Sequence, residues 1–191
     1  MTENFQKHHR RSIRLPRYDY TQPGAYYITI CTYQRQCWLG NIINGQMYFN
    51  QLGKIVYKFW QVLPNRFPHI QLDAFVVMPN HLHGILIISK KKECTIPTSI
   101  YTEEKFGKPV AGSIPTVIRS FKSSVTKQIN LMRETPYPPI WQRNYYESVI
   151  RSEKHLENVR LYIANNPLNW EKDEENPTHY QHETLDLDVY F

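Results

Sequence analysis

The run from Phe75 to Ile88, FVVMPNHLHGILII, constrains the fold of this chain more than any other stretch. It is rich in β-branched and aromatic residues, and Met78, Pro79 and Asn80 interrupt it with turn chemistry, so it predicts two adjacent strands. On a strand, residues i and i+2 point to the same face. His81 and His83 are therefore expected side by side, flanked by apolar residues that hold them rigidly. Two neutral imidazoles on one face make half of a divalent-metal site, because histidine is the commonest metal ligand. Two histidines on the partly exposed face of a strand would read the same way, so the pair alone does not decide.

The C-terminal third supplies partners for that half-site. Ser152 to Pro167 predicts a helix, with Ser152 as N-cap, acids in the first turn and Pro167 as the stop. Leu156, Val159 and Ile163 fall in one apolar stripe. Tyr162 and Asn166, four residues apart, lie together along its edge. A phenol and a carboxamide on the rim of a buried face can reach a metal held by the sheet beneath. A tyrosine with a wet hydroxyl and an asparagine before proline are the plain alternative.

Taken together, VVMPNHLHG, then WQRNYYESVIR from Trp141, then YIANNP from Tyr162 resemble the REP-associated tyrosine transposases. These are IS200-like single-tyrosine (Y1) transposases of the HUH endonuclease class. The likeness runs from about Ser12 to Trp170, including Pro23 to Cys31, and its specific parts are the histidine pair and the Tyr162 to Pro167 end. The resemblance implies that His81 and His83 are metal ligands and that Tyr162 is the nucleophile attacking a DNA phosphate. It makes Asn166 the third ligand, at a position that is glutamine in many IS200-type relatives. It also implies Mg2+ or Mn2+ as cofactor, a 5′-phosphotyrosine intermediate with a free 3′-OH, and single-stranded DNA beside a hairpin formed by an imperfect palindrome. Relatives of this kind are monomers or homodimers.

Charge agrees with such a partner. Residues 171–191 carry seven acids and one lysine, which leaves 22 Lys+Arg against 10 Asp+Glu in residues 1–170. A body that basic suggests a polyanion, nucleic acid before others. Residues 1–20 read as a basic arm with Arg10, Arg11, Arg14 and Arg17, residues 21–170 as one transposase domain, and residues 171–191 as an acidic tail. Cys31, Cys37 and Cys94 have no CxxC spacing, which suits reduced, cytoplasmic thiols better than a disulfide framework. No apolar run approaches the ~20 residues of a membrane span. A cytoplasmic protein, nucleoid-associated when on DNA, is expected.

Further elements follow from periodicity. Ala25–Tyr33 predicts a first strand, and Met47–Phe49 a short strand after an Asn44-Gly45 hairpin turn. Gln51 to about Val62 predicts a helix. Residues 89–112, broken by Pro97, Gly107, Pro109 and Gly112, read as a flexible connection. Ser113–Arg133 predicts a helix that buries Ile114, Val117, Ile118, Phe121, Val125, Ile129 and Met132 on one face. Its other face carries Arg119, Lys122, Ser123, Thr126, Asn130 and Arg133 with no acid before Glu134, and reads as a DNA-backbone face. Trp141–Ile150 predicts a strand or extended segment, with Trp141 as core. The order gives an α+β fold with a mostly antiparallel sheet, and the resemblance makes it ferredoxin-like.

Two rival functions follow from the same residues. A two-histidine phosphoesterase needs paired H-x-[ST] motifs, and of the eight histidines only His182, in His182-Glu183-Thr184, has Ser or Thr two residues on, so the pair is absent. A host-retained DNA-hairpin-binding protein with little or no catalysis would keep the basic surface without turnover.

Overall fold

A computed structural model describes residues 18–89 and 110–177. Arg10, Arg11, Arg14 and Arg17, most of the 89–112 connection and the acidic stretch after residue 177 lie outside the described residues.

The elements are β1 (Gly24–Cys31), β2 (Gly40–Ile43), β3 (Gln46–Phe49), α1 (Gln51–Gln61), α2 (Leu63–Arg66), β4 (Ile70–Val77), β5 (His81–Ile88), α3 (Ile114–Arg133), β6 (Tyr146–Ile150) and α4 (Glu153–Asn165). The main sheet runs β4-β5-β1-β6, and every neighbouring pair is antiparallel. The order β1-α1-β4-β5-α3-β6 is therefore a β-α-β-β-α-β ferredoxin-like unit, with the β2–β3 hairpin inserted after β1 and α4 appended. The hairpin turns through Asn44 and Gly45, whose φ values of 51° and 71° are the pair a type I′ turn requires.

Met78-Pro79-Asn80 is the break between β4 and β5, as the sequence predicts. The Met78 N–H donates to the His81 carbonyl at 2.8 Å. The Pro79 and Asn80 carbonyls accept from Leu39 and Thr32 at 2.9 and 2.8 Å. The turn is thus sewn to the end of β1 and the segment after it.

Period-two alternation divides the sheet into two unequal faces. Tyr26, Ile28 and Ile30 of β1 and Leu82, Leu86 and Ile88 of β5 face α1 and α3, forming the main core with Val56, Trp60, Val117, Ile118, Phe121, Val125 and Ile129. The alternate residues, Ala25, Tyr27, Ile85 and Ile87, meet Leu156, Val159 and Ile163 of α4 in a smaller cluster. His81 and His83 share the register of Ile85 and Ile87, so β5 delivers both to the α4 face.

Two predicted boundaries shift. The first strand stops at Cys31, and Tyr33–Arg35 form a short 3-10 turn in which Gln34 and Arg35 have φ of 52° and 53°. Trp141 joins the core by a single bridge to Thr32, and β6 begins only at Tyr146. In α3 the expected stripe is buried except for Met132, which is 42% exposed in the last turn, beyond the reach of the sheet.

Gly84 follows the histidine pair for a packing reason. A β-carbon there would collide with the Trp60 indole of α1. Gly84→Ala should therefore destabilise the fold by about 1–3 kcal/mol, the usual cost of overpacking. Urea unfolding followed by tryptophan fluorescence measures this.

Candidate active site

His81 is fully buried and His83 is 3% exposed, with ring centroids 4.5 Å apart. Thr29 stands opposite His83 on β1, and Tyr27 is its diagonal neighbour. The Thr29 and Tyr27 hydroxyls lie 2.9 and 2.7 Å from His83 Nδ1. The Tyr27 ring stacks on His83 and meets Tyr162 edge-on.

The α4 helix begins at Ser152, whose hydroxyl caps the His155 N–H at 3.2 Å. Its register on the sheet is set by Arg160, whose Nε and Nη2 donate to the two carboxylate oxygens of Asp73 at 2.8 and 2.7 Å. Asp73 sits in the irregular stretch of β4 between Leu72 and Phe75, and a bidentate pair fixes both distance and orientation. Two residues on, the Tyr162 hydroxyl lies 3.3 Å from His83 Nε2. Tyr162 is half exposed, open to a substrate on one side, whereas Asn166 is buried. The structure thus brings together all four residues singled out from the sequence as ligands and nucleophile.

Beyond α4 the chain turns at Trp170–Lys172 and comes back over the histidines. Asp173 Oδ2 accepts from Asn166 Nδ2 at 3.1 Å and lies 4.0 Å from His81 Nε2. His81, His83 and Asp173 could hold a metal ion, since their ligand atoms all lie within 4.8 Å of one another. The donor set fits such an ion in a second way. His81 Nε2 and Asn166 Oδ1 are buried atoms with no hydrogen-bond partner. Both are lone-pair donors at the same spot.

Protonation agrees. Burial pulls the His81 pKa down to about 4, against the opposing pull of Asp173 and Asn166. Burial, then the neighbouring His81, holds His83 well below its usual value. Both imidazoles are neutral at pH 7 and can ligate. Burial, with Asp173 adding to it, raises the Tyr162 phenol, so the side chains alone keep it protonated.

Sequence reasoning missed three contributors. Asp173 reads as one of seven acids in residues 171–191, Asn80 as a turn residue and Tyr27 as part of the first strand. Asn80 and Tyr27 fall within stretches that carry the family likeness, but their side-chain contacts to the site and to the returning chain are set by the fold.

The residues assigned to a DNA-backbone face are distributed differently. α3 packs on the sheet face opposite the histidines. Lys122 Nζ donates to the carbonyls of Gln142 and Asn144 at 2.6 and 3.1 Å. Arg133 bonds to Asn130 Oδ1 and to the Thr135 and Pro138 carbonyls. These two cations serve the protein's own acceptors, tying α3 to the segments that follow it. Arg119 and Ser123 are exposed and Thr126 is half-buried.

The antiparallel sheet, the histidine pair and the helix-borne tyrosine define a transposase-type fold. A solved REP-associated tyrosine transposase bound to a REP hairpin has the same fold. It matches with a TM-score of 0.54 and 18% identity over 82% of this chain and 73% of that one. In sequence, an uncharacterized protein of Haemophilus influenzae is 43% identical over 169 residues, 87% of this chain and 93% of its own length. Another protein of that organism, a "Putative REP-associated tyrosine transposase", is 25% identical over 155 residues, 80% of this chain and 74% of its own. No protein-family model matches. The chain belongs to one family with the 43% identical protein and shares the fold of the solved REP-associated tyrosine transposase. Among the described residues no helix is long and apolar enough to cross a membrane.

Isothermal titration with Mn2+ should show one site in the wild type and none in His81→Ala. Asp173→Ala should bind at least about tenfold more weakly if its carboxylate is a ligand. Lys122→Met should lower stability by about 1 kcal/mol in urea unfolding, because the half-buried Gln142 and exposed Asn144 carbonyls lose a charged donor.

Proposed function

We propose that this protein cleaves and rejoins single-stranded DNA beside a hairpin, with Tyr162 as nucleophile. The observation that carries the reading is the Tyr162 hydroxyl, 3.3 Å from His83 Nε2 at the open edge of a buried cluster of neutral donors. His81, His83 and Asn166, joined by Asp173, would hold a divalent cation, Mn2+ or Mg2+. Imidazole suits Mn2+ better, and carboxylate and carboxamide oxygens suit either. Such an ion, when bound, supplies a Lewis acid for the scissile phosphate and offsets the Asp173 charge that disfavours a phenolate.

The protein's own part is positional. Arg160 and Asp73 fix α4, Tyr27 packs against the Tyr162 ring, and Asn166 lies one turn beyond the nucleophile. The phenol loses its proton and Oη forms a bond to phosphorus. The bond from phosphorus to the 3′ oxygen breaks, and that oxygen gains a proton to become a free 3′-OH. The 5′ end stays esterified to Tyr162. The phosphotyrosine keeps the energy of the phosphodiester, so attack by a 3′-OH rejoins DNA without ATP.

The solved relative was bound to a REP hairpin, which supports a hairpin-forming single strand as the partner here. The basic excess of residues 1–170 supports the same partner. We assign backbone contacts to Arg10, Arg11, Arg14 and Arg17 of the arm and to Arg119, with Ser123 and Thr126 as hydrogen-bond donors on the exposed side of α3. A monomer acting in the cytoplasm suffices for this chemistry, since one chain carries every group named.

Incubated with a labelled hairpin oligonucleotide and Mn2+, the wild type should give a covalent adduct resistant to denaturing electrophoresis. Tyr162→Phe should bind the hairpin with unchanged affinity and form none. Adduct persisting in Tyr162→Phe would move the nucleophile elsewhere. Tight binding with no adduct in either protein would leave the binding-only function.

A further inference from the structure

Asn80 is fully buried in the turn between β4 and β5, and its one carboxamide makes three hydrogen bonds of determined sense. Nδ2 donates to the Arg35 carbonyl at 2.9 Å and to the Glu175 carbonyl at 2.6 Å. Backbone carbonyls only accept, so the amino group must face them and the amide cannot be flipped. Oδ1 is then the atom 2.8 Å from His81 Nδ1. An amide oxygen only accepts, so Nδ1 must carry the imidazole proton. The remaining nitrogen, Nε2, is left as a bare lone pair, buried, unpartnered and 4.0 Å from Asp173 Oδ2.

His83 shows that this is a particular feature of Asn80. Its Nδ1 faces two hydroxyls, from Tyr27 and Thr29, and either can donate or accept. Those neighbours leave the His83 tautomer open, whereas Asn80 leaves His81 one choice.

The same carboxamide holds the returning chain. Glu175 is bound through its carbonyl to Asn80 and through its carboxylate to Arg35 Nε at 2.7 Å. Its N–H donates to Asp173 Oδ1 at 2.7 Å, which leaves Asp173 Oδ2 turned to Asn166 and the histidines. We infer that Asn80 is a positioning residue that fixes the Nδ1–H tautomer of His81 and latches residues 173–175 so that Asp173 faces it. Its link to metal affinity rests on the metal reading above; the tautomer and the latch do not.

The test uses the full chain. In metal-free wild type labelled with 15N-histidine, long-range proton–nitrogen spectra should show His81 protonated at Nδ1 and bare at Nε2. In Asn80→Ala the His81 pattern should move toward protonation at Nε2. Amide hydrogen exchange at residues 173–176 should quicken, and the Mn2+ dissociation constant should rise about ten- to a hundredfold, the usual effect of losing a partner that orients a ligand. A purely structural turn residue would lower the melting temperature without changing the tautomer. Wild-type His81 protonated at Nε2 overturns the proposal even if Asn80→Ala does not fold. So does a folded Asn80→Ala protein with an unchanged His81 pattern and unchanged exchange at 173–176. Wild type that binds no Mn2+ would defeat the metal reading separately, while the spectra and the exchange still decide the tautomer and the latch.

Discussion

A bare imidazole nitrogen buried at the end of a central strand is the constraint around which this site is built. An unsatisfied buried polar atom costs about 1–3 kcal/mol, and His81 Nε2 is one. Nothing in the immediate backbone relieves it. Asn80 takes the other nitrogen, Asn166 brings a second unpartnered atom to the same place, and Asp173 completes the ring from beyond α4. Three separate segments converge where an apolar side chain would have been more stable. His81, His83 and Asp173 there form a group that could hold a metal ion, with the Tyr162 phenol at its open edge.

The two faces of the sheet share the work unequally. Toward α1 and α3 the chain builds its stability, with Trp60, Tyr26 and Phe121 fully buried and the Trp60 indole pressed on Gly84. Toward α4 the apolar contact is small, and polar groups take over where His81 and His83 emerge. A helix seated on so little apolar surface needs a directional tie, and the Arg160–Asp73 fork provides one two residues from Tyr162. Precision at Tyr162 therefore comes from a charged hydrogen-bonded pair at the helix edge more than from packing beneath it.

Charge is sorted by distance from the chemistry. Asp173 stands at the histidines and Glu175, two residues on, is paired with Arg35, although residues 1–170 carry a large basic excess. Lys122 and Arg133, which look available in the sequence, bond to carbonyls of the segments that follow α3.

The sequence by itself determined most of the elements, though not α2 or the start of β6, and the nearest-neighbour pairs. Apolar alternation on either side of Met78-Pro79-Asn80 sets β4 and β5, and strand geometry then puts His81 and His83 on one face. Helical spacing puts Tyr162 one turn before Asn166, and Ser152 and Pro167 bracket their helix. These are properties of period and local chemistry, carried within a few residues. Tertiary structure alone decided which side of the sheet each helix covers, and so placed α3 opposite the site and α4 over it. It also decided that Asp173 returns to His81, and that Asn80, 95 residues before Glu175, holds both the histidine and the returning chain. A hydrogen bond across that separation leaves no periodic trace, because it depends on how strands are ordered and where chain ends meet.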